Sequence, residues 1–177
     1  MLPLFLFLFL LPIGDGQGHE FVNPVTGLRN YRGNYVNPDW GFAVRIPSGM
    51  VGIGAADPAP NHGFRLDFSD PLDYILVDAS FTSSGDEPFF LPEGFKELET
   101  QKTKAKLAGL DATRTVRKLK RESNGFSYIW MELWTKHEYS SLTVYSITLQ
   151  TPEKYLKERK ILFNSLAASF RFMKYGK

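Results

Sequence analysis

The stretch from Thr113 to Gln150 limits the fold more than any other part of the chain. It reads as three consecutive strands, Thr113 to Lys120, Phe126 to Lys136 and Leu142 to Gln150, with Ser123-Asn-Gly125 as a hairpin turn between the first two. In the middle strand Phe126, Tyr128, Trp130 and Trp134 fall on one face, and Ile129, Met131 and Leu133 on the other. Successive side chains of a strand point to opposite faces, so a strand apolar on both has to be covered on both. It is expected to sit centrally in an antiparallel sheet with layers above and below.

The remaining elements are read around that sheet. Tyr31 to Val36 and Trp40 to Ile46 form a hairpin across Asn37-Pro38-Asp39, stopped by Pro47. Gly52 to Gly63, rich in Gly, Ala and Pro, reads as a long loop. Phe64 to Phe68 and Tyr74 to Val77 are strands around an Asp-rich turn. Pro92 to about Ala105 reads as a helix with proline in its first turn. A second helix runs from Thr151-Pro152, a hydroxyl followed by proline at the first helical position, to about Ala168. Tyr155, Arg159, Leu162 and Leu166 recur along it at helical spacing. Ser169-Phe-Arg-Phe172 is a short last strand. The fold class expected is α+β, one antiparallel β-sheet flanked by helices in an α/β/α sandwich.

The N-terminus points to export. Met1 to Ile13 is an unbroken apolar run followed by small polar residues. A membrane span needs about 20 apolar residues and a signal core about 7–15, so the run reads as an export signal. No Lys or Arg precedes it. Gly16-Gln17-Gly18 places cleavage before His19, with Gly14 or Gly16 as other ends, and an uncleaved membrane anchor is the competing reading. The division expected is 1–18 signal peptide, 19–30 flexible leader, 31–173 a single domain and 174–177 a tail. Localisation is exported, periplasmic or extracellular, with membrane contact only if the N-terminal segment stays uncleaved.

The chain has no cysteine. This removes thiolate catalysis, cysteine-ligated metal and a lipoprotein-type lipid attachment, and leaves stability to the core alone. The net charge of +2 hides an uneven distribution. Asp57 to Glu93 is acidic, opposed only by Arg65, whereas Lys96 to Arg121 is basic. The two segments read either as complementary surface elements or as a basic face for an acidic partner or anionic headgroups. No nucleic-acid motif accompanies the charges, so nucleic acid is not an expected partner.

The most unusual local stretch is Pro58-Ala-Pro-Asn-His62-Gly-Phe64, followed by Asp67, Asp70, Asp73 and Asp78. A histidine with nearby carboxylates has the side chains for acid–base work or a hard-metal site. The spacing matches neither an EF-hand nor a zinc site, and Asp70 and Asp73 are equally explained as turn residues bonding backbone N–H groups. Asn61, His62, Phe64, Asp67, Asp70 and Asp73 are the candidate binding residues; no catalytic residue, metal site or cofactor is expected. Ser80, Ser83 and Ser84 lack the nucleophile elbow, and Gly49 to Gly54 lacks the lysine and helix of a phosphate loop. His137 beside Glu138 reads as an exposed polar residue. Tyr128, Trp130, Trp134 and Tyr139 either floor a ligand groove or belong to the core.

Four segments carry a family resemblance: Trp40-Gly-Phe-Ala-Val-Arg-Ile-Pro47 with Gly49, Leu107-Ala-Gly-Leu-Asp-Ala112, Tyr145-Ser-Ile-Thr-Leu149, and Ser169-Phe-Arg-Phe172. Their order and spacing resemble the PsbP-like superfamily, the fold of a photosystem II extrinsic protein and a Ran-binding import factor, over most of Tyr31 to Met173. Met50 stands where that group often has Trp. The resemblance implies an antiparallel sheet between helices and a role as adaptor, assembly factor or binding module, with no shared catalytic set. The function expected is an exported, non-catalytic domain binding an envelope or secreted protein through Gly52 to Gly63 and the adjoining strand ends. The alternative is a small metal-dependent or hydrolytic enzyme centred on His62 and the nearby aspartates.

Overall fold

The structure, a computed structural model, describes residues 18–56, 59–81, 91–138 and 142–173. In chain order its strands are β1 (His19–Val22), β2 (Leu28–Arg32), β3 (Asn34–Asn37), β4 (Phe42–Arg45), β5 (Gly52–Ala56), β6 (Gly63–Asp67), β7 (Tyr74–Phe81), β8 (Phe95–Leu107), β9 (Leu110–Arg121), β10 (Ser127–Glu138) and β11 (Leu142–Pro152). A 3-10 turn (Glu153–Tyr155) leads into helix α1 (Leu156–Ser169), and strand β12 (Arg171–Phe172) follows. The strands form a nine-stranded sheet in the order β1-β2-β5-β6-β7-β11-β10-β9-β8 and a three-stranded sheet in the order β12-β4-β3, with every pairing antiparallel.

The expected α/β/α sandwich is corrected by this arrangement, which is mostly β with one short helix among the described residues. The inner face of the large sheet carries Leu66, Ile75, Val77, Ile147, Leu149 and Leu133, all buried. It is covered by the small sheet, through Tyr35, Phe42 and Val44, and by α1, through Phe163 and Leu166. Each such side chain contributes about 1.5–3 kcal/mol on leaving water. Phe42 and Phe170 stack with ring centroids 5.2 Å apart, and the Tyr145 hydroxyl donates to the Trp40 carbonyl at 2.7 Å. Together they tie the two sheets at the centre of the core.

The meander β9-β10-β11 is present, with β10 inside the sheet and buried residues on both of its faces. The Trp40 hairpin, the strands around the Asp-rich turn, the C-terminal helix and the last strand are present as well. Thr151 does not cap the helix: it lies in β11, and neither the 3-10 turn nor α1 has a side-chain cap.

Three further expectations are corrected. Pro92 to Ala105 is not helical; it supplies most of β8, an edge strand paired with β9 almost from end to end. Residues 19–30 hold β1 and part of β2 where a leader was expected. Gly52 to Gly63 opens with β5, whose glycines are required by close approach. A Cβ at Gly52 would lie 2.8 Å from the Phe64 ring, and one at Gly54 2.7 Å from the Tyr31 ring. The expected signal segment, Gly18 apart, and the tail at 174–177 lie outside the described residues. Among the described residues no helix is long and apolar enough to cross a membrane.

Candidate functional site

The six residues singled out from the sequence do not meet. They are spread along the β6–β7 hairpin, whose turn end pairs Asp67 with Tyr74 and whose far end pairs Gly63 with Asp78. His62 and Asp67 are five residue steps apart along an extended strand, about 16 Å at the usual rise. Asn61 and His62 therefore belong to one end of the sheet, and Asp67, Asp70 and Asp73 to the other.

At the turn end, each aspartate has a local partner. Asp67 pairs with Arg65. The Asp70 Oδ1 accepts from the Leu72 backbone N–H at 2.9 Å, the turn role expected for it. Asp73 is fully buried, and its carboxylate accepts from Arg159 of α1, Nε to Oδ2 and Nη2 to Oδ2 both at 3.1 Å. The Arg159 guanidinium also lies 3.7 Å over the Phe68 ring. Asp73 is thus the anchor between the β6–β7 turn and the helix, with no face left toward solvent. Phe64 is core, 1% exposed and edge-on to Tyr35.

The other end is a different kind of surface. Asn61 is fixed by the Tyr35 hydroxyl, which donates to its Oδ1 at 2.9 Å, and by Asn37 Nδ2, which donates to its carbonyl at 2.8 Å. Burial pushes the Tyr35 hydroxyl well above the usual tyrosine range, so it stays a neutral donor. The His62 ring is 2.9 Å from the Ala79 carbonyl through Nδ1 and lies against Trp40, with centroids 4.8 Å apart. That contact fixes the proton on Nδ1, because a carbonyl only accepts. Trp40 in turn contacts Phe81, centroids 4.6 Å apart. Phe81 is 66% exposed and the neighbouring Leu142 50% exposed. Phe81 pairs with Thr143 and lies beside the Trp40–His62 platform, whereas Leu142, one residue along its strand from Thr143, projects from the opposite face of the sheet. His137, half-buried, packs against Phe172 at 4.5 Å and is not the exposed polar residue expected.

None of these groups forms a hydrolytic or metal-binding arrangement. Among the described residues no group of three or more His, Cys, Asp or Glu is placed to hold a metal ion. Asp78 is a carboxyl at the His62 end; burial pushes it above the ordinary carboxylate range, with His62 acting in the opposite direction.

A second feature lies on the outer face of the large sheet. The pairings align Thr115, Glu132 and Thr148 in one row, Arg117, Trp130 and Gln150 in the next, and Thr113, Trp134, Ser146 and Asp78 in a third. Of the polar members, Thr115, Arg117, Glu132, Ser146, Thr148 and Gln150 are all buried. One end of the face is closed by an apolar cluster of Phe95, Leu119 and Tyr128 with Leu72 and Trp130. Tyr128 is therefore core, Trp130 and Trp134 flank the polar rows, and Tyr139 lies outside the described residues. The alternation of the middle strand gave notice of the tryptophans. The buried Thr, Ser and Gln come from β9 and β11, whose register across β10 a sequence does not display.

No family model matches the sequence, and no curated protein matches it. Among solved structures, the chain is similar to LpqN, described as involved in cell envelope biogenesis of Mycobacterium tuberculosis. Sequence identity is 13%, 89% of this chain and 91% of that chain are covered, and the TM-score is 0.54. It also matches the solution structure of cyanobacterial PsbP from Synechocystis sp. PCC 6803 at 13% identity, covering 78% of this chain and 91% of that chain, with a TM-score of 0.47. At such identity the likeness is one of architecture and assigns no activity. The fold of this chain is similar to that of LpqN.

Proposed function

We propose that this chain is an exported, non-catalytic domain of the cell envelope that binds another protein through the sheet end formed by Asn61, His62 and Phe81. The observation that carries the reading is the exposure of Phe81 beside a fixed platform of Trp40 and His62. Exposed apolar side chains set next to immobilised aromatic and amide groups are what a protein-binding surface presents. The envelope role described for LpqN is consistent with export of a domain of this fold. A cut before His19 would leave β1 whole.

The test is site-specific photocrosslinking in the native host, with the reactive residue at position 81, at position 142, or at Val25, which is 91% exposed. One discrete adduct from position 81, and none from position 142 on the opposite face or from Val25, supports the reading. No adduct at all, or the same adducts from all three positions, refutes it. Intact mass of the recovered chain, beginning at His19, checks export in the same experiment. Replacing His62 by Ala should weaken the adduct without creating or removing any hydrolytic turnover.

A further inference from the structure

The outward face of the three-stranded sheet carries two arginines that neither the core nor the His62 end uses. Register sets Asn34 opposite Arg45 and Arg171 opposite Ala43. Paired residues share a face, as do residues two apart on one strand, so Asn34, Arg45 and Arg171 project to one side and the buried Tyr35, Phe42 and Val44 to the other. Arg45 and Arg171 are diagonal neighbours, and both are exposed. Such positions lie about 7–8 Å apart, close enough for two long side chains to reach one point.

That point is a cavity. It measures about 550 Å³ and is bordered by both arginines and Asn34 on the sheet and by Ser165, Ala168 and Ser169 of α1. Its walls are tied together. Asn34 Oδ1 accepts from Arg45 Nε at 3.4 Å, and the Ser169 hydroxyl accepts from the Arg45 backbone N–H at 3.0 Å while donating to the Leu166 carbonyl at 3.0 Å. No acidic residue is among the described residues that line it. An adjoining cavity of about 330 Å³ shares Asn34 and Arg171, and its one acid, Glu20, is paired with Arg29 at 3.9 Å. Arg171 forms no ion pair among the described residues.

The charge of the cavity selects the ligand. A cation would face two guanidinium groups, and a neutral molecule would leave them repelling each other. The end of α1 contributes roughly half a negative charge, which favours one nearby cation and leaves the second unopposed. A carboxylate brings a single charge. A phosphate monoester brings about −1.5 to −2 near neutral pH and three acceptor oxygens, which match two guanidinium forks and a hydroxyl donor.

We propose that the cavity between Arg45 and Arg171 binds a phosphate monoester, with Ser165 as a further donor. It shares no residue with the sheet end proposed for protein contact and does not depend on that reading.

The backbone ¹H–¹⁵N signals of Ser169 and Arg171 are followed while glycerol 3-phosphate or, in parallel, sodium acetate is added into the millimolar range. Val25, in the turn between β1 and β2, is the internal control. Saturable movement of both signals with glycerol 3-phosphate, a weaker response to acetate and an unmoved Val25 are expected. Arg171→Gln and Ser165→Asp should each weaken binding about tenfold or more, the second by placing a carboxylate in the cavity with both arginines intact. Arg171→Lys keeps the charge without the fork and should fall between wild type and Arg171→Gln. Phosphatidylcholine vesicles containing phosphatidic acid present the same group on a lipid. Co-sedimentation with them that is lost in Arg171→Gln assigns the ligand to a membrane, and binding of glycerol 3-phosphate alone assigns it to solution. Silence with both probes, acetate binding as tightly as glycerol 3-phosphate, or undiminished affinity in Arg171→Gln and Ser165→Asp overturns the proposal.

Discussion

Replacing Arg159 by Met should be among the most damaging single changes in the chain. The Asp73 carboxylate is 0% exposed and its ionic partner is Arg159, itself only 17% exposed at the side chain. Methionine keeps much of the aliphatic contact over Phe68 and removes only the charge and its donors. A buried carboxylate stripped of its partner costs about 3–5 kcal/mol, against a total stability of roughly 5–15 kcal/mol for a domain. At about 2–4 °C per kcal/mol for a chain of this size, the midpoint of thermal unfolding should fall by roughly 6–20 °C. The double variant Asp73→Asn with Arg159→Met should recover much of the loss, because no charge is left to bury. Urea unfolding of wild type, both single variants and the double variant gives the coupling energy directly. If Arg159→Met lies within about 1 kcal/mol of wild type, the range for exposed pairs, Asp73 is not the buried anchor described, and its candidacy as a ligand-binding residue reopens.

Two other outcomes follow from the geometry. Burial holds the Asp78 carboxyl above its ordinary value of 3.8, so the folded state binds that proton more tightly than the unfolded state, and the ionised group opposes folding as pH rises through its folded pKa. Asp78→Asn should therefore be more stable than wild type near neutral pH, with the advantage gone below 3.8; urea titrations at the two pH values check the sign. Ala108 is the one non-glycine residue with positive φ among the described residues, at 48°, followed by Gly109 at 86° in the tight turn between β8 and β9. Asparagine tolerates that conformation and is favoured in two-residue hairpin turns, so Ala108→Asn should stabilise by about 0.5–1 kcal/mol in the same assay.

The parts of this fold that were legible in the sequence are those where side-chain burial imposes a period. β10 announced itself through two apolar faces, and α1 through Tyr155, Leu162 and Leu166. β8 did not. Its sequence, Phe95-Lys-Glu-Leu-Glu-Thr-Gln-Lys-Thr-Lys-Ala-Lys-Leu107, is full of helix formers, and only its two end residues are buried. Backbone pairing with β9 overrides that propensity, and lysines are what exposed edge strands carry. β1 is exposed at all four positions, so no pattern marks it. β5 read as a loop because Gly52 and Gly54 resemble punctuation, whereas they admit the Phe64 and Tyr31 rings. For the candidate site, Asp70 in its turn and the tryptophans of β10 were readable. The separation of His62 from Asp67 and the burial of Asp73 follow from hairpin register and from a helix distant in sequence, and neither leaves a local trace.

The small sheet joins the two ends of the described chain: β12 pairs with β4, and the Arg45 backbone N–H donates to the Ser169 hydroxyl across 124 residues. During synthesis, Phe42 cannot meet Phe170 until β5 to β11 and α1, which lie between them, have been added. A growing chain thus keeps its first core hairpin open until the last strand is made, and contacts of such long range form slowly. If the chain is exported unfolded, as proposed above, this arrangement works as a timer: the clasp between β12 and β4 closes only after α1 has followed β4 across.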